Sequence, residues 1–484
     1  MSDAIQGLEP ESFWRCFAAI AAIARPSGHE AKIGAFILDR ARQLGLEGVQ
    51  DDCGNIVVRK PASPGKERVA GICLQSHLDM VCEKNADKVH DFLNDPIELV
   101  RRDQVVTANG TTLGADNGVG VAASLALMED RSLTHGPLEF LFTVEEETGL
   151  TGAKNLSPSL VQSRTLLNLD SEEEGALYIG CAGGKDTVGC WNYAAEAAAA
   201  DAVALVVAVK GLRGGHSGLE IDKGLGNAIK LLNRALCGLS KIGGRVAGIN
   251  GGNMRNAIPR EATAQLYLPA AKLAEAEALV SELDLVFRAE LGNVDPGVVL
   301  AMSRDDAGNG KVMDATVQEK LLKAISGLPS GVQRMSHDIT GLVETSTNVS
   351  VISTSESGVI LVTSQRSSSA SRLEEVVESV ESIFQLGGAV VEVSEGYPGW
   401  QPNVDSAILK LSLQCYRALY DRDAEVKAIH AGLECGIIGE RIPGMDMISL
   451  GPNMEKVHSP EERVYIDSVV NFWNFLLEIL KTAQ

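Results

Sequence analysis

The sequence predicts an α/β protein in which a mixed, mostly parallel sheet is sandwiched by helices and interrupted by an inserted α+β domain. Two observations support this prediction. In the first third of the chain and again near its end, short and almost continuous apolar runs alternate with helical patterns, as expected of strands covered on both faces. After Gly183 and Gly184 the pattern changes to paired strands and amphipathic helices, which is typical of a separate α+β unit.

The outer parts of the chain predict the strands and helices of the main sheet. Apolar runs of four to eight residues favour strands, and longer runs with helical periodicity favour helices. The predicted strands are 69–76, 138–144, 165–170 and 446–452, and the predicted helices are 118–130, 406–421 and 469–483. We therefore expect residues 1–185 and 397–484 to form one discontinuous domain.

The middle of the chain, residues 186–396, predicts the inserted domain. It contains strand and helix patterns in βα order and the paired runs of 348–368, which are joined by a Ser/Glu/Ser/Gly turn. The region is long enough to hold two βαββ units, so an internal duplication would fit, although no clear sequence repeat is visible.

Composition and charge exclude several classes of protein. The 484 residues carry a formal net charge of -21 and no run of Lys or Arg, which argues against a nucleic-acid partner. No apolar stretch is long and uninterrupted enough to predict a membrane span. The nine cysteines are odd in number and scattered, so we expect reduced thiols and a cytoplasmic protein.

Acidic and imidazole side chains collect where the predicted strands end. Ligands of open α/β sheets bind outside the carboxyl ends of the strands, so groups far apart in sequence are expected to converge there. Alone, each has an ordinary alternative: an aspartate after a strand is usually a helix cap or turn residue, and a histidine is often structural. Together, two histidines, two aspartates and one glutamate form a nitrogen and oxygen ligand set suited to a pair of zinc-like ions. The acidic and imidazole residues concerned are His77, Asp116, Glu145 to Glu147, Asp170 and His458.

Eight motifs, in order over nearly the whole chain, resemble those of the co-catalytic zinc exopeptidases of the aminoacylase and carnosinase group. Two divalent ions in such a site would also offset the repulsion among the three adjacent glutamates. The motifs are HLDMV (77–81), GTTLGADNGVGVA (110–122), TVEEETGLTGA (143–153), NLDSEEEG (168–175), GLRGGHSGLEI (211–221), RNAIPRE (255–261), HAGLECGII (430–438) and SLGPNMEKVHSPEE (449–462).

The resemblance implies a zinc-exopeptidase-like catalytic domain and a role for each metal-site residue. His77 and Asp170 would bind one zinc ion, Glu147 and His458 the other, and Asp116 would bridge both. Co or Mn are expected substitutes for Zn.

The same resemblance implies two catalytic residues of the outer domain. Asp79 would orient the His77 imidazole. Glu146 would act as general base on the attacking water and then protonate the leaving amine. Glu145 is left without a chemical role.

The inserted domain would be a lid that contributes substrate contacts. His216 would stabilise the oxyanion, while Asn256 and Arg255 would contact substrate. For Arg255 a surface salt bridge remains open as the alternative. Glu434 is expected either to meet the free substrate amine or to be a buried structural carboxylate.

The function implied is metal-dependent hydrolysis of unblocked dipeptides, including Xaa-His and carnosine-like substrates. Because the metal ligands would be identical, a deacylase of N-acyl amino acids remains the alternative. A non-catalytic peptide-binding relative would be expected to have lost a ligand or the base, and the sequence retains them all. The family also implies that the protein is a homodimer and that its substrate is a small peptide.

Overall fold

The computed structural model describes residues 3–483 and divides into two compact units. Unit 1 comprises Met1–Gly180, Trp400–Ala428 and Leu433–Gln484, and unit 2 comprises Cys181–Gly399 and Ile429–Gly432. Unit 2 thus begins shortly before the predicted insert at 186 and gains the short segment that contains His430. None of the helices in the described part of the chain is long and apolar enough to cross a membrane.

Twelve α-helices occur in the described residues, together with two 3-10 turns at Asp3–Ile5 and Ala270–Lys272. Helix α6 begins at an Asn227 cap, whereas α1 follows Pro10 and has no side-chain cap. In chain order the helices are α1 (Glu11–Ala21), α2 (Ala31–Leu44), α3 (Ala115–Glu129), α4 (Glu146–Gly149), α5 (Thr151–Asn155), α6 (Ala228–Lys241), α7 (Leu273–Leu291), α8 (Ala315–Gly327), α9 (Ala370–Leu386), α10 (Ala407–Tyr420), α11 (Glu434–Arg441) and α12 (Ile466–Thr482).

The strands of the described residues form five sheets. The first twelve are β1 (Glu47–Gln50), β2 (Ile56–Lys60), β3 (Ile72–His77), β4 (Leu99–Arg102), β5 (Val105–Ala108), β6 (Leu138–Thr143), β7 (Thr165–Asn168), β8 (Ala176–Cys181), β9 (Gly183–Asn192), β10 (Glu196–Ala197), β11 (Ala202–Lys210) and β12 (Gly215–His216). The others are β13 (Arg245–Gly251), β14 (Ala257–Ile258), β15 (Ala262–Pro269), β16 (Val299–Arg304), β17 (Lys311–Val312), β18 (Gly331–Met335), β19 (Val343–Thr354), β20 (Gly358–Ser367), β21 (Val390–Val393), β22 (Glu425–Ile429), β23 (Asp446–Ser449), β24 (Met454–Glu455) and β25 (Arg463–Tyr465).

The main sheet of unit 1 is mixed, with a parallel centre. Its order is β1-β2-β6-β3-β7-β23-β8-β22. Strands β6, β3, β7 and β23 are mutually parallel, while β1, β2 and β8 pair antiparallel. Both β3 and β6 are buried along their full length, as a sheet covered on both faces requires. The carboxyl ends of the four parallel strands therefore meet at one edge, where the sequence predicts the site.

A small second sheet in unit 1 joins two segments that are distant in sequence. Its order is β24-β25-β5-β4. In it β25 pairs antiparallel with β5, so that Arg463 lies opposite Thr107 and Tyr465 opposite Val105. The turn between β24 and β25 carries His458, and the loop after β5 leads to Asp116 at the start of α3.

Unit 2 contains two copies of one βαββαβ arrangement. In the first, β11-α6-β13-β15-α7-β16 gives the strand order β16-β11-β15-β13. In the second, β9-α8-β19-β20-α9-β21 gives the equivalent order β21-β9-β20-β19, and the first copy is inserted between β9 and α8. Pairing of β13 with β19 joins the two into one nine-stranded sheet whose helices share a buried core. The structure therefore contains the internal duplication that would fit the length of this region. The β19–β20 hairpin also confirms the predicted pair of strands at 348–368.

Candidate metal centre

Three predicted ligands meet at the carboxyl edge of the main sheet. His77 is the last residue of β3, Asp170 follows β7, and Asp116 is the second residue of α3. The Nε2 atom of His77 lies 2.9 Å from Asp116 Oδ1 and 3.3 Å from Asp170 Oδ1. The three side chains form one group of atoms close enough to hold an ion.

The other two predicted ligands meet on the opposite oxygen of Asp116. The Nε2 atom of His458 lies 3.1 Å from Asp116 Oδ2 and 3.0 Å from Glu147 Oε2. Asp116, Glu147 and His458 form a second candidate group. The two oxygens of one carboxylate thus face two different imidazoles, and the peptide from Asp116 to Asn117 is cis.

Unpartnered polar atoms indicate that the donor set fits metal ions. Glu147 Oε1 and Asp170 Oδ1 are buried and have no hydrogen-bond partner among the described residues; Asp170 Oδ1 lies near His77 but outside hydrogen-bond geometry. Buried polar atoms are rarely left in this state. Zinc bonds of about 2.0–2.2 Å to nitrogen and oxygen place the ligands of one ion roughly 3 Å apart, which matches the separations above.

Without a cation, protons compensate the charge of the carboxylates. Hydrogen bonds to Asp116 and Glu147 raise the pKa of His458 to about 11 against the opposing effect of burial. Burial lowers the pKa of His77, but the carboxylates of Asp170, Asp116 and Asp79 outweigh it and raise that pKa well above its usual range. A metal ion that binds here would therefore compete with protons for both imidazoles.

Asp79 contacts both the His77 imidazole and the segment that carries the glutamates. Its Oδ1 lies 3.3 Å from His77 Nδ1 and accepts a hydrogen bond of 3.0 Å from the Glu146 N–H. Its Oδ2 accepts from the Glu147 N–H at 3.1 Å and from the Ser27 hydroxyl at 2.7 Å. Burial raises the pKa of Asp79, but His77 and these donors outweigh it and lower the pKa to about 2.

Glu146 lies beside the ligands at the start of α4. One of its carboxylate oxygens falls in a group with His77 and Glu147 whose ligand atoms all lie within 4.8 Å of one another. Burial raises the pKa of Glu146 well above its usual range, with Asp170 and Glu434 adding to the effect and His77 opposing it. A carboxylate in this environment is suited to accept a proton.

Glu434 is fully buried at the start of α11. Its Oε2 accepts hydrogen bonds from Gln75 Nε2 at 2.6 Å and from Thr143 Oγ1 at 2.8 Å, whereas Oε1 has no partner among the described residues. Burial raises the pKa of Glu434 to about 7. Contact with a substrate amine stays a prediction, because the observed bonds fit a buried structural carboxylate as well.

In unit 2, backbone groups fix the tautomer of His216. Its Nδ1 accepts hydrogen bonds from the N–H groups of Gly218 at 3.2 Å and Leu219 at 3.0 Å. Burial and the charge of Arg366 lower the pKa of His216, which favours the neutral ring. A neutral ring with Nδ1 as acceptor carries its proton on Nε2 and presents that atom as a donor.

The two other residues predicted to contact substrate in unit 2 lie on the surface. The side chain of Arg255 is 62% exposed and forms a 3.2 Å ion pair with Asp186, which favours the surface salt bridge over the clamp. Asn256 is exposed, and its carbonyl oxygen accepts a hydrogen bond from the Ser217 N–H. Their substrate roles stay predictions.

The sequence comparisons match this chain to a family over most of its length. Residues 73–482 match peptidase family M20/M25/M40. The cytosol non-specific dipeptidase of Escherichia coli (strain K12) is 41% identical over 476 residues, which cover 98% of each chain. The chain belongs to peptidase family M20/M25/M40. The predicted family is thereby confirmed.

Solved structures of similar proteins confirm the predicted fold class. Aminoacylhistidine dipeptidase from Vibrio alginolyticus superposes with a TM-score of 0.93 at 40% identity, covering 99% of this chain and 98% of that one. A tripeptidase from Staphylococcus aureus is similar in fold alone, with a TM-score of 0.57 at 18% identity over 98% and 99% of the two chains. The motifs resemble in particular those of bacterial aminoacyl-histidine dipeptidase, also called peptidase D. The similarity to the Escherichia coli and Vibrio alginolyticus dipeptidases confirms that resemblance.

A segment before the M20 match supports the ligands and was missed by sequence reasoning. Ser27 donates to Asp79, and Glu30 accepts from the Glu145 N–H at 3.0 Å. Arg25 is buried and donates to the carbonyl oxygens of Leu78 and Asp79. The local signal is the run RPSGHE (25–30), whose polar residues are also typical of the start of a helix.

Arg366, near the end of β20, was also missed. It is 7% exposed, its Nη1 donates to the Tyr397 hydroxyl at 2.8 Å, and its Nε has no partner. Among the ion pairs of residues 3–483 none involves Arg366, so this nearly buried cation lacks a carboxylate. The available signal was one arginine in the run GVILVTSQRSS (358–368).

Proposed function

We propose that this M20 peptidase hydrolyses unblocked dipeptides with two divalent metal ions, zinc by preference. The observation that supports it most is the position of Asp116 between two imidazoles, with one oxygen 2.9 Å from His77 and the other 3.1 Å from His458. His77 and Asp170 would hold one ion, Glu147 and His458 the other, and Asp116 would contact both. A pair of such ions polarises the peptide carbonyl and lowers the pKa of water.

The residues around the ligands would perform the proton transfers. Glu146 takes the proton of the attacking water and passes it to the leaving amine, a role that its raised pKa supports. Asp79 Oδ1 lies 3.3 Å from His77 Nδ1 and would orient that ring, and the same carboxylate accepts hydrogen bonds from the N–H groups of Glu146 and Glu147. One carboxylate therefore fixes both a ligand and the base.

Unit 2 would supply groups that recognise the substrate and its transition state. His216 Nε2 would donate to the developing oxyanion, which its fixed neutral tautomer supports. Arg366 would bind the carboxylate at the C-terminus of the dipeptide, since a nearly buried guanidinium without an acidic partner favours an external anion.

The substrate range follows the names of the relatives. One is a non-specific dipeptidase of the cytosol and another an aminoacylhistidine dipeptidase, so we propose broad dipeptide cleavage that includes Xaa-His and carnosine-like substrates in the cytoplasm. A homodimer stays a prediction of the family resemblance.

Comparing a free dipeptide with its N-acetylated form tests the assignment. We expect Ala-His to be hydrolysed at a kcat/KM at least about tenfold higher than N-acetyl-Ala-His, because a buried carboxylate such as Glu434 pairs with a free amine and not with an acetamide. Preference for the acetylated compound would instead assign a deacylase with the same metal centre. A protein without chelator-sensitive hydrolysis of either compound would be a non-catalytic relative.

A further inference from the structure

Glu462 is a buried carboxylate that is neither a predicted ligand nor the predicted base. It is 2% exposed and immediately precedes β25. Its Oε2 accepts from the N–H groups of Leu113 at 2.8 Å and Gly114 at 3.0 Å. Its Oε1 accepts from those of Ala115 at 2.7 Å and Asp116 at 3.4 Å. Four consecutive amides of the segment that carries Asp116 are thus bound by one side chain.

Arg25 holds the same segment from the other side. Arg25 is 3% exposed, and its guanidinium donates to Leu78 O at 2.9 Å, to Asp79 O at 2.7 Å and to Gly114 O. A Cβ at Gly114 would lie 2.6 Å from Arg25 Nη2, so a glycine is required where the guanidinium passes. Arg25 thus ties the Asp116 segment, through a carbonyl oxygen, to the end of the strand that carries His77, whereas Glu462 binds the N–H groups of the same segment.

Glu462 also belongs to the turn that carries His458. It lies four residues after His458, its carbonyl oxygen accepts a 2.7 Å hydrogen bond from Thr107 Oγ1, and β25 pairs with β5. The side chain of Glu462 therefore reaches from the His458 turn to the Asp116 segment. His458 Nε2 and Asp116 Oδ2 lie 3.1 Å apart at the end of these two segments.

We propose that Glu462 is a positioning residue that holds Asp116 against His458 and thereby sets the affinity for the ion shared by Asp116, Glu147 and His458. The inference rests on the proposed dinuclear function. The ion shared by His77, Asp116 and Asp170 depends less on Glu462, because Arg25 and the sheet itself fix those ligands. Substitution of a residue that orients a metal ligand commonly lowers the metal affinity about 10- to 100-fold.

A Glu462→Gln variant tests the proposal, with Glu461→Gln as its matched control. Glutamine keeps the size of the side chain but has one acceptor oxygen and turns an NH₂ group towards backbone N–H donors. Glu461 is the adjacent residue, is 68% exposed and pairs with Lys456 at the surface, so its variant should behave as wild type.

The readout is metal binding, separate from activity. Metal-depleted proteins are titrated with Co²⁺, followed by visible absorption and by competition with a chelator of known affinity, and thermal unfolding of each metal-free protein is recorded. We expect two ions per chain in wild type and in E461Q. In E462Q one ion should bind at least about tenfold more weakly while the other is unchanged.

Three results would overturn the proposal in distinguishable ways. Unchanged binding of both ions in E462Q would remove the positioning role and leave the dinuclear function intact. If both ions bind equally more weakly and the metal-free variant has a lower Tm, Glu462 contributes to stability alone. Fewer than two ions in wild type would overturn the proposed function itself. If E462Q does not fold, Glu462→Asp keeps the charge with a shorter reach and should weaken the same single ion.

Discussion

At Glu145 the backbone adopts a left-handed conformation, with φ of 50°, that non-glycine residues seldom take. The Glu145 N–H is bound by Glu30, and the next two N–H groups are bound by the two oxygens of Asp79. The backbone N–H groups of three adjacent glutamates are thus bound by two carboxylates, those of Glu30 and Asp79. We infer that the turn at Glu145 allows Glu147 to ligate while Glu146 stays free to move a proton.

Glu146→Gln should abolish proton transfer without removing a ligand. We expect kcat to fall about 10²- to 10⁴-fold, the usual contribution of a general base, with the metal content of the purified protein unchanged. Steady-state kinetics and elemental analysis measure the two quantities. Glu145→Gln is the matched control and should retain most activity; a Glu146→Gln enzyme with near wild-type kcat would remove Glu146 as the base.

Arg366→Met should weaken recognition of the substrate carboxylate. A hydrogen bond to a charged group contributes about 1.5–3 kcal/mol, so kcat/KM for a free dipeptide should fall roughly 10- to 100-fold. The effect should vanish for the dipeptide amide, which lacks the carboxylate. Arg288→Met is the control because Arg288 is 45% exposed and pairs with Asp284 on α7. Equal losses for acid and amide would show that Arg366 does not read the carboxylate.

At the scale of helices and strands, the sequence best predicts features that depend on neighbouring residues of the chain. His77 ends β3, and Glu147 and Asp170 lie within a few residues of the ends of β6 and β7. The apolar strand patterns therefore place all three residues at one edge of the sheet. The contacts of Glu462 with Leu113 and of Arg25 with Leu78 join residues far apart in sequence, and no local pattern indicates them. Strand β9 was also missed because GGKDTVGCWN has three glycines and no clear apolar alternation, so its pairing with β20 and β21 decides its conformation.

Helix α6 offers a test of local structure in unit 2. The Asn227 side chain accepts from the N–H groups of Ile229 and Lys230 at 3.1 and 3.2 Å and donates to Val349 O at 2.8 Å. Asn227→Ala should therefore lower the free energy of unfolding by about 1–2 kcal/mol, as loss of an N-cap does. Urea unfolding followed by circular dichroism measures it.

Ser369→Ala is the control for the Asn227→Ala variant. Ser369 occupies the N-cap of α9 but makes no capping hydrogen bond, so this variant should stay within about 0.5 kcal/mol of wild type. If both variants shift the urea curve equally, the bonds of Asn227 do not stabilise α6.

For the whole molecule, charge dominates the site. The chain has a net charge of -21, and in unit 1 three carboxylates and two imidazoles lie in contact with one another. The metal-free protein balances this charge with protons, since the pKa of His458 is raised to about 11. The stability that the protonated His458 contributes is fully present below its ordinary pKa of 6.5 and is lost as the pH rises towards 11.

Metal binding should accordingly release protons. The raised pKa values of His77 and His458 favour the protonated imidazoles in the metal-free protein, so the affinity for Zn²⁺ should rise with pH between about 6 and 8. Calorimetric titrations in buffers of different ionisation enthalpy count the protons released. An affinity that does not change with pH, with no protons released, would show that the imidazoles are not ligands.

The measurement that tests the central claim most directly is a zinc titration of the metal-depleted protein, followed by hydrolysis of Ala-His. The position of Asp116 between His77 and His458 predicts no activity after chelation and a return of activity that saturates at two ions per chain. Co²⁺ or Mn²⁺ should also restore hydrolysis. Full dipeptidase activity in protein stripped of metal would contradict the account.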